Sequence, residues 1–396
     1  MVPGGSAHVP PVRYSRVRPM RFPGRVVVVL LVTVVLTAVV RAQNPAASGG
    51  STPSGRTGPE LYAAACANCH GRDGAGAPAA NALLPTPVPD FTDCNFASRE
   101  PDADWGAIIH AGGPVRAFDR MMPAFGDALS DGDIQAILDH VRTLCGDDAW
   151  PRGELNLPRA LVTEKAYPED EAVWTTTVAV RGDRAVINEV VYEKRFGPRN
   201  QIEVKVPFAA SEQPAGGWQF GAGDIAVGFK RALAHSLPRG TILSAAAELI
   251  VPTGDESAGA GAGVTRFEPF VSFGQMLPAN SFVQAQAGVE LPADRTKAER
   301  EAFWRVAAGT TLAQGPLGFG RAWTPMVEVL AARAIEDGAR TEWDVLPQVQ
   351  ITLNTRQHVM VNVGVRVPVS ERTGRPTRLM VYLLWDWFDG GLFDGW

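Results

Sequence analysis

Cys66-Ala67-Asn68-Cys69-His70 is the stretch of this chain whose residue types and spacing could do chemistry unaided. Two thiols two residues apart, with an imidazole directly after, read as a c-type haem attachment site. Each cysteine can form a thioether to a haem vinyl group, and the histidine lies beneath the ring as an iron ligand. A dithiol redox pair and half of a zinc site are the alternatives for Cys-x-x-Cys. A zinc site wants a second ligand pair, yet Cys94 and Cys145 stand singly in the sequence. A dithiol has no need of His70.

Covalent haem requires export, and the N-terminus carries the signal for it. No acidic residue precedes Glu60, while Arg13, Arg16, Arg18, Arg21, Arg25 and Arg41 flank an apolar run from Val26 to Val40 that ends at Arg41-Ala42. This predicts a secretory signal peptide over 1–42, with an uncleaved anchor as the alternative. Residues 43–58, rich in Ser, Gly, Pro and Thr, read as a flexible linker. In an exported chain Cys94 and Cys145 are expected to pair as a disulfide. The net charge of −5, more acidic still without the leader arginines, provides no basic patch for nucleic acid.

The elements around the motif are helical. Pro59 and Glu60 suit a first turn, and Leu61, Tyr62 and Ala65 lead into Cys66. Gly71 to Pro78 forms a glycine-rich turn, and Pro85, Pro87 and Pro89 carry an extended loop to Asp90-Phe91. Trp105 to His110 predicts a short helix stopped by Gly112-Gly113-Pro114. Ser130 caps a last helix to Leu144, with Ile134, Ile137, Leu138, Val141 and Leu144 at helical spacing.

This succession, with Met122-Pro123-Ala124-Phe125 before a Leu-Ser-Asp-x-Asp-Ile helix start, resembles a class I cytochrome c across residues 59–146. The resemblance implies an all-α domain holding one covalent haem c, with His70 and Met122 as the iron ligands. Met121 and His110 are rivals for the distal position, and His140 belongs on the polar side of its helix. A thioether ligand favours ferrous iron, and Pro123 stiffens the loop that presents it.

Residues 147–171, with Trp150-Pro151, Pro158 and Pro168, read as a connector. From 172 to 396 the pattern has period two. Val359, Val361, Val363, Val365, Val367 and Val369 alternate with Met360, Asn362, Gly364 and Arg366, and Val283 to Leu291 alternate likewise. About twelve such segments, beginning near 173, 185, 200, 218, 241, 265, 281, 302, 321, 342, 357 and 377, predict an antiparallel barrel with a lipid-facing exterior and a polar lumen. A soluble β-sandwich is the alternative. Trp218, Phe270, Trp304, Trp323, Trp343, Trp385 and Trp387 would form interfacial girdles, and Trp396 would close the last strand. Ala247 to Asp255 and the closing Leu-Leu-Trp-Asp-Trp-Phe-Asp resemble outer-membrane barrels assigned to transport in aromatic-degradation pathways.

Together these features predict an electron carrier of the cell envelope, anchored in the outer membrane with its cytochrome domain in the periplasm, exchanging electrons with a redox donor and acceptor. The alternatives are a porin or transporter with a haem sensor domain, and the cytochrome subunit of a dehydrogenase in the soluble periplasm. No Gly-x-Ser-x-Gly elbow or phosphate loop points to an enzyme.

Overall fold

The computed structural model describes residues 54–78, 87–180, 184–212, 216–313 and 322–396. The expected signal peptide, most of the linker and the Pro85 loop turn lie outside the described residues. Two regions follow one another: a small helical domain and a large barrel.

The helical domain comprises α1 (Gly58–Ala65), α2 (Ala67–His70), α3 (Cys94–Ala97), α4 (Asp102–Ala111) and α5 (Asp131–Leu144). Capping fixes where the two principal helices begin. Thr57 N donates to Glu60 Oε2 over 2.8 Å at α1, and Asp133 N donates to Ser130 Oγ over 3.1 Å at α5. Ile134, Ile137, Leu138 and Val141, on one stripe of α5, bury against Leu61, Tyr62, Trp105 and Ile109. Each such side chain is worth about 1.5–3 kcal/mol when withdrawn from water, enough to hold short helices that would not form alone. Ser54, at the end of the expected linker, is tied down by a 2.7 Å bond from its Oγ to Asp133 Oδ1.

Twelve ring strands follow: β1 (Glu171–Ala179), β2 (Ala185–Phe196), β3 (Asn200–Glu212), β4 (Ile225–Ser236), β5 (Thr241–Val251), β6 (Arg266–Leu277), β7 (Ser281–Pro292), β8 (Glu301–Thr310), β9 (Ala322–Ala334), β10 (Glu342–Thr352), β11 (Val359–Pro368) and β12 (Arg378–Asp386). Each pairs antiparallel with its sequence neighbours, and β12 closes the ring on β1 with Glu171 opposite Asp386. Trp218–Ala222 and Leu312–Ala313 are short ribbons on β3 and β9. Closure leaves no unpaired edge, so the sandwich alternative does not hold.

Alternation assigns the two faces. Val363, Val365, Val329, Val306, Val271 and Trp174 point outward and are exposed, far more apolar surface than a water-soluble monomer tolerates. Gln201, Gln284, Glu328 and Asn362 point inward and are buried. Phe270, expected at an interface, faces the lumen at 6% exposure, because Gly288 opposite it on β7 leaves room for the ring. Trp396 is on no strand: β12 ends at Asp386 and the tail beyond it crosses the barrel end. The connections 197–199, 237–240 and 278–280 are short and lie at the end that holds Glu171 and Asp386; longer ones, 252–265 and 369–377 among them, lie opposite.

The connector does not lie outside the barrel. Residues 153–170 enter the lumen at the Glu171 end and turn back within it. Leu161 N donates to Gln348 Oε1 over 3.0 Å, Thr163 N to Glu328 Oε2 over 2.6 Å, and Gln284 Nε2 to the Pro158 carbonyl over 2.8 Å. A Cβ on Gly364 would stand 2.6 Å from Leu161 Cδ1 and 2.8 Å from Gln348 Cβ, so the glycine on β11 gives the plug room at this point. Arg159 pairs with Glu171 and Glu193, and Lys205 with Glu164, Glu203 and Glu248. Beyond the plug remains a cavity of about 420 Å³, open toward the longer connections and lined in part by Arg305, Glu189 and Glu268.

Candidate haem site

The Cys66 amide donates to the Tyr62 carbonyl over 2.9 Å, and His70 N to the Cys66 carbonyl over 2.9 Å, so the motif continues the helical path of α1. Spacing of three and four then brings Cys66, Cys69 and His70 to one face. Gly71, with φ +77°, ends α2, and the chain folds back so that Gly76 N meets the His70 carbonyl and Ala77 N the Cys69 carbonyl, each over 2.9 Å. Tyr62 Oη donates to the Gly71 carbonyl over 2.8 Å and locks this turn onto α1.

Both thiols of the motif are free, Cys66 half-buried and Cys69 exposed. Burial, with Cys69 adding to it, pushes the Cys66 thiol up to about 11. His70 is also half-buried, and burial pulls its imidazole down to about 4, so the ring is neutral and keeps a nitrogen lone pair. Its Nδ1 is buried with no hydrogen-bond partner, and the ring stacks on Phe91 with centroids 4.8 Å apart. An orphaned neutral imidazole on the same helical face as two free thiols is the donor set covalent haem requires, and these residues fit that group.

Met122 is positioned by the loop that follows α4. Gly112 has φ +82°, and a Cβ on Gly113 would stand 2.2 Å from the Asp119 carbonyl oxygen, so only glycine lets the 113–122 loop close. Gly113 N donates to the Met122 carbonyl over 3.0 Å, and Phe125 N to the Ile109 carbonyl over 2.9 Å. The loop turns Met122 inward, half-buried against the cluster that includes Cys66 and Phe91, and leaves Met121 58% exposed. His110 is exposed and lies over Gly126, and His140 stands edge-on to Tyr62 at 5.2 Å.

Cys94 and Cys145 are joined in a disulfide with Cα atoms 5.1 Å apart, fastening α3 to the C-terminus of α5. Two features escaped the sequence reading. Phe91, Phe96 and Trp105 form an aromatic wall, and the Arg142 guanidinium covers Trp105 at 3.8 Å while its Nε donates to Asp102 over 2.8 Å. The second is the anchorage to the barrel: Arg99 pairs with Asp170, Tyr167 Oη donates to the Ser98 carbonyl over 3.2 Å, and Arg356 Nη2 to the Ala117 carbonyl over 2.9 Å. Aromatic content hinted at the first; nothing local signals the second.

Residues 53–141 match the family model described as cytochrome c oxidase, cbb3-type, subunit III. No curated protein matches the chain in sequence. Among solved structures it is similar to the KdgM porin (9% identity, TM-score 0.39, 54% of this chain and 98% of that one). An outer membrane channel from Pseudomonas putida F1 is similar at 12% identity and TM-score 0.40, over 58% of this chain and 99% of that one. The β domain of the Bordetella autotransporter BrkA is similar at 12% identity and TM-score 0.35, over 55% and 99%. The chain thus joins a cytochrome c domain, matched over residues 53–141 by that family model, to a closed twelve-strand antiparallel barrel.

Proposed function

We propose that this chain is an envelope electron carrier in which one haem c, bound through Cys66 and Cys69 and ligated by His70 and Met122, is held at the periplasmic mouth of an outer-membrane barrel. The observation that carries this reading is the packing: Cys66, Phe91 and Met122 lie against one hydrophobic cluster, with the neutral His70 imidazole stacked on Phe91. A haem bound there would supply one-electron chemistry. The protein's part is to hold the two ligands in place, keep water from the His70 face with Phe91, and fix the domain on its anchor.

The exposed apolar belt and polar interior support insertion in a bilayer, and the short turns together with both barrel termini at one end support a periplasmic N-terminus. The filled lumen favours an anchor over a conduit. The porin reading retains one observation, the cavity of about 420 Å³ beyond the plug.

The test is expression with a haem-maturation system, isolation of outer membranes, and unboiled and boiled samples run on a denaturing gel stained for haem. A haem-positive band that shifts on boiling supports the reading. A haem-positive protein in the soluble periplasm without a shift overturns it and favours a soluble redox subunit.

A further inference from the structure

We propose that the outward face of β8, β9 and β10, at the end bearing the longer connections, binds a phosphate-bearing lipid headgroup through Arg333 and Arg295. This rests on the outer-membrane placement above.

Trp304 on β8 and Trp343 on β10 both pair with Ala331 on β9, and all three point outward. Across the small alanine the two indoles meet edge-on, with centroids 5.7 Å apart. Lipid-facing aromatics near strand ends mark the boundary between hydrocarbon and headgroups. Arg333 lies two residues further along β9 on the same face, about 7 Å toward the longer connections. That places its guanidinium at headgroup level. Its partner on β8 is Ala302, too small to cover it.

Arg295, from the 293–300 connection, lines the same groove of about 760 Å³ together with Arg333, Ala302 and Ile335. Neither arginine has an ion-pair or hydrogen-bond partner among the described residues. Other rim arginines differ: Arg340, in the 335–341 turn, pairs with Glu371 over 3.1 Å, and Arg375 with Glu342 over 3.0 Å. Two guanidiniums that line one groove just above an aromatic belt, neither bonded to a carboxylate among the described residues, suit an anion with several oxygens. Glu336 and Asp337 line the groove from the 335–341 turn, beyond Arg333 and further from the bilayer. Two carboxylates in the groove disfavour a free anion, while the Trp304–Trp343 pair one step along the same face offers apolar surface to a lipid's acyl chains. The geometry therefore favours a phosphate carried by a lipid over free phosphate.

The experiment is native mass spectrometry of the haem-loaded, detergent-purified protein titrated with diphosphorylated lipid A. The double variant Arg295→Gln with Arg333→Gln is expected to weaken binding about thirtyfold, at about 1 kcal/mol per cation. Arg340→Gln, on the same rim but already paired, is expected to leave binding unchanged. Equal binding by wild type and double variant overturns the proposal, as does an equal loss in Arg340→Gln. Displacement of the lipid by equimolar inorganic phosphate overturns the lipid assignment. The boiling shift of each variant reports barrel folding, so a failed membrane reading is seen separately from a failed headgroup site.

Discussion

Arg99, in the turn before α4, and Asp170, the last residue ahead of β1, form an ion pair buried between the cytochrome domain and the barrel mouth. Asp170 also receives Lys194 Nζ at 3.0 Å, and Tyr167 from the plug reaches the Ser98 carbonyl beside Arg99. Haem domain, plug and barrel therefore meet at one point, and the domain is fixed rather than swung on a loose tether.

Arg99→Ala should loosen that point. Removing one member of a buried pair costs about 3–5 kcal/mol, and Lys194 keeps the loss near the lower figure by remaining on Asp170. The expected outcome is faster proteolytic cleavage between residues 146 and 170, with the boiling shift of the barrel retained. Cleavage at the wild-type rate would show that the pair does not hold the domain.

Met122→Ala and Met121→Ala separate the two methionines. Met122 packs inward against the hydrophobic cluster that Cys66 also lies on, while Met121 faces solvent, so only the first substitution should abolish the methionine-to-iron absorption band, with haem still attached after denaturation. A band that survives in Met122→Ala, or disappears in Met121→Ala, assigns the sulfur ligand elsewhere.

The haem motif was legible because its residues must be contiguous to do their chemistry, and the barrel because lipid and lumen impose opposite polarity on alternate residues, as Val359 to Val369 display. Which methionine turns inward followed from a resemblance; the reason, the close approach of Gly113 to Asp119, is visible only in three dimensions. The plug was illegible. Its partners are distant in sequence, Thr163 with Glu328 and Leu161 with Gln348, and 153–170 follows no helical or strand period because neighbours on all sides satisfy it. Phe270 misled for a different reason: grouped with aromatics at strand ends, it lies mid-strand on the lumen parity of β6, beside outward Val271, where Gly288 opposite leaves room for its ring.

Arg159 is the key to lumen closure. It is shared by Glu171 and Glu193, both buried, and its loss leaves Glu193 without its paired cation while Lys165 stays on Glu171 at 3.3 Å, at a cost of about 3 kcal/mol. Wild-type protein in a planar bilayer should therefore show little conductance, and Arg159→Ala should show frequent openings. Wild-type conductance as large as that of the variant would mean that the plug does not seal the barrel.

The joint should also respond to pH. Asp389, in the tail beyond β12, has its carboxyl raised to about 7 by burial, with Asp104 adding to the shift and Arg356 opposing it. His358 Nδ1 stands 3.9 Å away, and Glu100 across the joint is likewise raised, first by burial. A carboxyl raised above its unfolded value of about 4 takes up its proton more readily in the folded state. Its contribution is complete below that value and is lost as pH rises through about 7. Asp133, which bonds to Ser54 and Ser130 hold down at about 2, changes only below this window. The thermal midpoint of the haem domain in the intact protein, followed in the Soret region, should thus fall between pH 5 and pH 8, and Asp389→Asn should flatten the slope. A midpoint that rises over that range, or a slope unchanged in the variant, would remove Asp389 as its source.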